Sequence, residues 1–165
     1  MINIRLAEIV DIQKAEEIYG GARDFMRESG NDSQWGSVYP PHEIIVSDIN
    51  EKRLYVAEER GEVLAVFCFF VGSDPTYAKI YDGNWKSTDP CGVIHRVAVS
   101  NMARGRGVSQ RCFEYCSKRS PSLKIDTHSK NIPMQRALLK FGFEYCGIIY
   151  LPDGQERLAY QFQCK

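Results

Sequence analysis

Hydrophobic and polar positions change period several times along the chain, and each change marks an element. Residues 2–6 alternate as a first strand. Ile9, Ile12, Ala15, Ile18 and Tyr19 then form the stripe of an amphipathic helix. Gly20-Gly21 predicts an interruption before a second helical piece that carries Ala22, Phe25 and Met26. Residues 29–41, S-G-N-D-S-Q-W-G-S-V-Y-P-P, break regular structure, and Pro41 opens a short helix to about residue 50 with Ile44, Ile45 and Ile49 on one face. Residues 54–58 and 63–71 read as a strand pair turning at Arg60-Gly61. Residues 72–92 keep no period, and a loop of that length in a small domain is commonly functional or disordered.

The apolar run at 93–99, V-I-H-R-V-A-V, is too short for an ordinary helix and rich in β-branched residues, so it reads as a strand buried on both faces. A polar bend follows, then Arg104-Gly105-Arg106-Gly107, then Val108, Cys112, Tyr115 and Cys116 at helical spacing. After a short strand at 123–127, Asn131 caps a helix lined by Met134, Ala137, Leu138 and Phe141 that Gly142 stops. Strands at 143–150 and 157–162, joined by P-D-G, close the chain. This order predicts an α/β (α+β) fold: a mixed, mostly antiparallel central sheet of about seven strands flanked by about four helices, in one domain over residues 1–165.

Strand, glycine loop and helix in succession carry a chemical consequence. A helix start leaves backbone N–H groups unpaired and partially positive, and glycines let an anion approach them. Arg104 and Arg106 add charge, so residues 104–109 predict a phosphate site. Neither a P-loop nor a dinucleotide fingerprint fits, because no Lys-Ser or Lys-Thr follows and the third glycine is missing.

Arg104-Gly105-Arg106-Gly107-Val108-Ser109 instead resembles the Q/R-x-x-G-x-G/A signature of the GNAT family of N-acetyltransferases, with Ser109 in place of the family's last Gly or Ala. Asn131 to Gly142-Phe143 is similar to the family's last cofactor motif, and the element order matches end to end. The resemblance implies acetyl-CoA as acyl donor. Its pyrophosphate would lie on Arg104, Gly105, Arg106, Gly107, Val108 and Ser109. Its pantetheine arm would pair with the main chain of Val97, Ala98 and Val99 beside a splayed fourth strand, and Asn131 would contact or order it, besides capping its helix.

Acetyl transfer to an amine needs a neutral nucleophile, a route for its proton and stabilisation of developing negative charge. His95 is the candidate base, and H-R-V-A-V resembles the H-x-L-A-V of arylalkylamine acetyltransferases; a satisfied structural histidine is the alternative. Arg96 on such a strand requires an acidic partner or a place at the cofactor side. The family's usual tyrosine acid is replaced by Leu138, which leaves that role unassigned, with Tyr145 and Tyr150 as weak substitutes. Asp126 and His128, near a strand end, line the cleft or simply form the strand exit. Trp35, Tyr39, Tyr81 and Trp85 are the candidate acceptor residues; with Tyr77 and with Asp32, Asp74, Asp82 and Asp89 of segments 29–41 and 73–90 they suit an ammonium-bearing acceptor, and a lid or a homodimer contact suits them equally.

Lysine plus arginine balance aspartate plus glutamate at 21 each, which disfavours nucleic acid and anionic membranes as partners. No window approaches a membrane span, and the start lacks a signal-peptide pattern. Six cysteines without a C-x-x-C pair suit reduced thiols in a cytoplasmic protein better than disulfides or a metal site. The expectation is a cytoplasmic N-acetyltransferase acting directly on a primary amine, most simply a small molecule. The alternatives are a protein amine or an acyl-CoA sensor with little turnover.

Overall fold

A computed structural model describes residues 1–88 and 90–165; Asp89, one of the loop acids, lies outside the described residues. Among the described residues the strands and α-helices follow the predicted order. They are β1 (Asn3–Leu6), α1 (Ile12–Glu28), α2 (His42–Asn50), β2 (Leu54–Glu59), β3 (Glu62–Gly72), β4 (Cys91–Val99), α3 (Val108–Ser117), β5 (Ser122–Thr127), α4 (Ile132–Phe141), β6 (Glu144–Tyr150) and β7 (Glu156–Gln163). The strands form one sheet of seven in the order β1-β2-β3-β4-β5-β7-β6. Its outer pairs are antiparallel, and β4 meets β5 in parallel, as a mixed, mostly antiparallel sheet requires.

The chain divides into two compact units, Met1–Phe69 with Arg96–Tyr115 and Phe70–His95 with Cys116–Lys165. In the first, Ala15, Ile18, Tyr19 and Ala22 of α1 pack with Ile45 of α2, Leu54 and Val56 of β2, Val63 and Val66 of β3, and Ala98. The expected break at Gly20-Gly21 does not occur, since α1 runs through both glycines. A glycine costs a helix only about 1 kcal/mol against alanine, less than burial of this apolar stripe returns. Gly21 has a packing reason as well: a Cβ there would stand 3.1 Å from Nδ2 of Asn101. Ile9 falls outside the stripe and is exposed in a short 3-10 turn that precedes α1. The β2–β3 hairpin turns where predicted, with Arg60 at φ 53° and Gly61 at φ 79°, both left-handed as a tight two-residue hairpin demands.

In the second unit Tyr77, Val93, Ile149 and Ala159 form the core, with Phe70, Ile80, Trp85 and Leu151 against it. Residues 72–88, which show no period, are nevertheless ordered by pairing. Tyr81 and Ile148 exchange two backbone hydrogen bonds of 2.8 Å each. Two glycines permit that approach: a Cβ on Gly83 would fall 1.9 Å from the Cys146 carbonyl oxygen, and one on Gly147 2.5 Å from that of Tyr81. Asn131 caps α4 as expected, accepting from Met134 N–H at 3.1 Å, and Gly142 ends it at φ 114°. All six cysteines are free thiols, five of them buried.

Candidate active site

In the first unit, β4 leads through a short 3-10 turn (Asn101–Ala103) into the glycine loop and α3. Gly105 and Gly107 lie at φ 77° and 75°, and a Cβ on either would meet nothing within 4 Å. Conformation, rather than crowding, requires glycine here, and the main chain faces open space. Arg111 N–H donates to Gly107 O at 3.3 Å, the first turn of α3, so the N–H groups of Val108 and Ser109 have no carbonyl a turn earlier inside the helix. The Arg104 guanidinium sits 3.6 Å from the Phe25 ring centre, with Nε donating to Asn101 Oδ1 at 2.9 Å, and burial lowers its pKa. Arg106 pairs with Glu59 at 2.5 Å, and Glu59 also meets the Met1 ammonium at 3.0 Å; both cations hold its carboxyl below the usual range. This combination of left-handed glycines, open backbone, helix start and guanidinium groups fits a diphosphate.

Also in the first unit, Arg96 adopts φ 51°, a left-handed conformation that a strand residue with a side chain rarely takes. Its guanidinium is bound by Asp48 of α2, with Nη2 at 2.6 Å and Nε at 3.1 Å from Oδ2, and Nη1 donates to Tyr39 Oη at 3.2 Å. The buried Tyr19 hydroxyl donates to the Arg96 carbonyl at 3.0 Å. Burial opposes the charge on Arg96, but Cys68, Tyr39 and Asp48 outweigh it and raise the pKa. Burial drives the Cys68 thiol up to about 12, so it is inert as a nucleophile at neutral pH. Trp35 packs edge-on against Tyr19 at 5.7 Å and beside Tyr39 at 6.2 Å.

In the second unit, His95 Nε2 lies 2.6 Å from Asp74 Oδ2. Asp74 caps the 3-10 turn Pro75–Tyr77, its other oxygen accepting from Thr76 N–H at 2.8 Å and Thr76 Oγ1 at 2.5 Å. Burial penalises the Asp74 charge, yet the hydrogen bonds from His95 and Thr76 outweigh it and hold the carboxyl down at about 2. An ionised carboxylate only accepts, so Nε2 carries a hydrogen and Nδ1 holds the lone pair of the neutral ring. Around the imidazole stand the rings of Tyr77 at 5.7 Å and Phe70 at 6.1 Å. Tyr77 donates through its hydroxyl to Asp126 Oδ2 at 2.6 Å and accepts at its carbonyl from Trp85 Nε1 at 2.9 Å. Lys124 Nζ lies 4.6 Å from the Trp85 ring centre. The parallel ladder of β4 with β5 runs over Gly92–Leu123 and Val93–Lys124, so its register ends before His95.

The residues singled out in the sequence thus group by unit. Trp35 and Tyr39 stand together with Arg96, and residues 97–99 and 104–109 are continuous in the chain with it. Trp85 belongs to the cluster around His95, Tyr77 and Asp126, whereas Tyr81 stands edge-on to Tyr150 at 5.1 Å, half exposed on the outer strand β6. Leu138 is fully buried, and Tyr145 stands against Tyr160. His128 accepts from Lys130 N–H in the turn after β5. Sequence reasoning placed Asp74 and Tyr77 among the acceptor-segment residues but missed them as neighbours of His95, and it missed Asp48 and Tyr19 as partners of Arg96. Only the unpaired charge expected of a strand arginine could have prompted the search for Asp48.

The model of the acetyltransferase (GNAT) family matches residues 11–143. This chain belongs to the GNAT acetyltransferase family. An acetyltransferase of that family from Streptococcus agalactiae is 33% identical, with a TM-score of 0.92 over 99% of this chain and 96% of the other. The structure of an acetyltransferase from Salmonella typhimurium with its cofactor acetyl-CoA superposes with a TM-score of 0.64 at 17% identity, covering 99% and 94%. A ribosomal-protein-alanine N-acetyltransferase from Brucella melitensis gives 0.67 at 19% identity, covering 98% and 99%. The last two show the fold alone. No curated protein matches the chain. The protein is an acetyl-CoA-dependent N-acetyltransferase, and no described helix is long and apolar enough to cross a membrane.

Proposed function

We propose that the chain acts as one domain that moves the acetyl group of acetyl-CoA directly to a primary amine of a small molecule, with His95 as the base. The observation that carries this reading is the 2.6 Å pair of His95 and Asp74. A carboxylate fixed by Thr76 directs one ring nitrogen and leaves Nδ1 to receive the ammonium proton of the acceptor. When bound, acetyl-CoA supplies an acyl thioester activated toward amines. In this reading the loop residues Arg104, Gly105, Arg106, Gly107, Val108 and Ser109 hold its phosphates, and the main chain of Val97, Ala98 and Val99 pairs with its amide-bearing arm. The end of the β4–β5 ladder at Val93 supports that assignment. Asn131, already bonded to Met134 N–H, keeps the start of α4 in place for the cofactor.

The amine nitrogen bonds to the acetyl carbon as the carbon–sulfur bond breaks, its proton passes to Nδ1 of His95, and the departing thiolate takes a proton from water. Water is the proposed source because Leu138, at the family's usual tyrosine position, has no ionisable proton to give. The rings of Phe70, Tyr77 and Trp85 and the carboxylate of Asp126, all in the unit that holds His95, suit a compact cationic acceptor. Tyr81, turned against Tyr150, is the least supported of the four aromatic candidates. Free thiols throughout suit a reducing, cytoplasmic setting. The test is mass-spectrometric detection of acetylated product from a panel of small primary amines. Product from a folded protein substrate but from none of the small amines would overturn the acceptor class.

A further inference from the structure

The left-handed residue in β4 stands immediately after His95 and immediately before Val97, and three side chains of the first unit converge on it. A non-glycine residue at φ 51° costs roughly 1–2 kcal/mol against ordinary strand backbone and persists only where its surroundings over-determine it. Those surroundings are explicit. Asp48 receives two guanidinium nitrogens, Tyr39 receives a third, and Tyr19, itself buried and braced by Trp35, donates to the carbonyl of the strained residue. Side chain and carbonyl of one residue are therefore both fixed. Rotation at φ of Arg96 reorients every later carbonyl and N–H of the strand.

We propose that Asp48 and Tyr19 are positioning residues, which hold Arg96 in its left-handed conformation and thereby set the main chain of Val97–Val99 for the acyl-CoA arm. The inference rests on the assignment of residues 97–99 to that arm. It makes Arg96 a clamp on the strand, because Nε and Nη2 each donate to Asp48 and Nη1 donates to Tyr39.

The test is titration calorimetry of coenzyme A, with melting temperatures, on four proteins: the wild type, Tyr19→Phe, Asp48→Asn, and the double variant Asp48→Asn with Arg96→Gly. Tyr19→Phe keeps the buried ring and removes one hydrogen bond, so affinity falls about tenfold with the fold kept. Asp48→Asn removes the charge that locks the guanidinium, and affinity falls by a similar or larger factor. Glycine adopts the left-handed conformation without help, so the double variant recovers affinity toward wild type although it melts lower. A merely structural role predicts that affinity follows melting temperature, with the double variant worst. Wild-type affinity in both single variants, or no recovery with glycine, overturns the proposal; if Asp48→Asn does not fold, Tyr19→Phe decides alone. Absence of coenzyme A binding by the wild type would instead overturn the assignment beneath it.

Discussion

The proposed base, His95, is defined by its partner. With Asp74 held ionised by Thr76 and the imidazole, the ring donates through Nε2, which puts its lone pair on Nδ1. His95→Ala should therefore lower turnover by about 10²–10³ near neutral pH. The loss should shrink at alkaline pH, where more of the acceptor is already a free amine, and coenzyme A affinity should be unchanged by calorimetry. Asp74→Asn offers an amide that can also donate, which disturbs the tautomer; turnover should fall while the Michaelis constant for acetyl-CoA stays within about twofold, since uniform binding is untouched. His95 was legible as a candidate because an imidazole in a buried strand needs a reason. Asp74 was legible as a loop acid but not as its partner: it lies in a segment without period, and only the capped turn Asp74–Tyr77 brings it to the ring. The Arg96–Asp48 pair was half legible, the need for an acid being physical and its identity depending on how α2 packs.

At the scale of elements, the glycine loop and the long first helix show opposite uses of the same residue. Gly105 and Gly107 are required by left-handed backbone that faces open space, so Gly107→Val is expected to abolish coenzyme A binding by rearranging the loop, with little change in melting temperature. A large drop in melting temperature would mean the loop is structural instead. In α1, Gly20 sits mid-helix with only the Arg23 guanidinium near a Cβ, at 3.6 Å. Gly20→Ala should stabilise by up to about 1 kcal/mol, read as a raised melting temperature, whereas Gly21→Ala presses on Asn101 and should gain less. Periodicity revealed most strands and helices because one face of each is buried, and it located the hairpin at Arg60-Gly61. It failed at Gly20-Gly21, where tertiary burial overrides local propensity. It also failed in residues 72–88, whose order comes from pairing with β6 through Tyr81 and Ile148.

For the molecule as a whole, charge balance gives no field to draw in a polyanion, and ionic contributions to stability are local. The depressed Asp74 carboxyl contributes stability that is complete above the ordinary carboxylate range and is lost as pH falls from about 4 toward 2. Thermal unfolding across that window should show an acid-side loss that is smaller in Asp74→Asn. Fold, family and acyl donor were all readable in advance, because the element order runs along the chain and the glycine loop that carries the family resemblance is contiguous. The acceptor was not, because its candidate side chains come from irregular segments whose positions depend on the packed structure. The central claim is that His95 removes the proton of a primary amine during acetyl transfer. Thiol release from acetyl-CoA, measured with small primary amines from acid to alkaline pH for wild type and His95→Ala, tests it most directly. Amine-dependent release with a pH profile that changes in the variant is the expected result; equal profiles for the two proteins would contradict it.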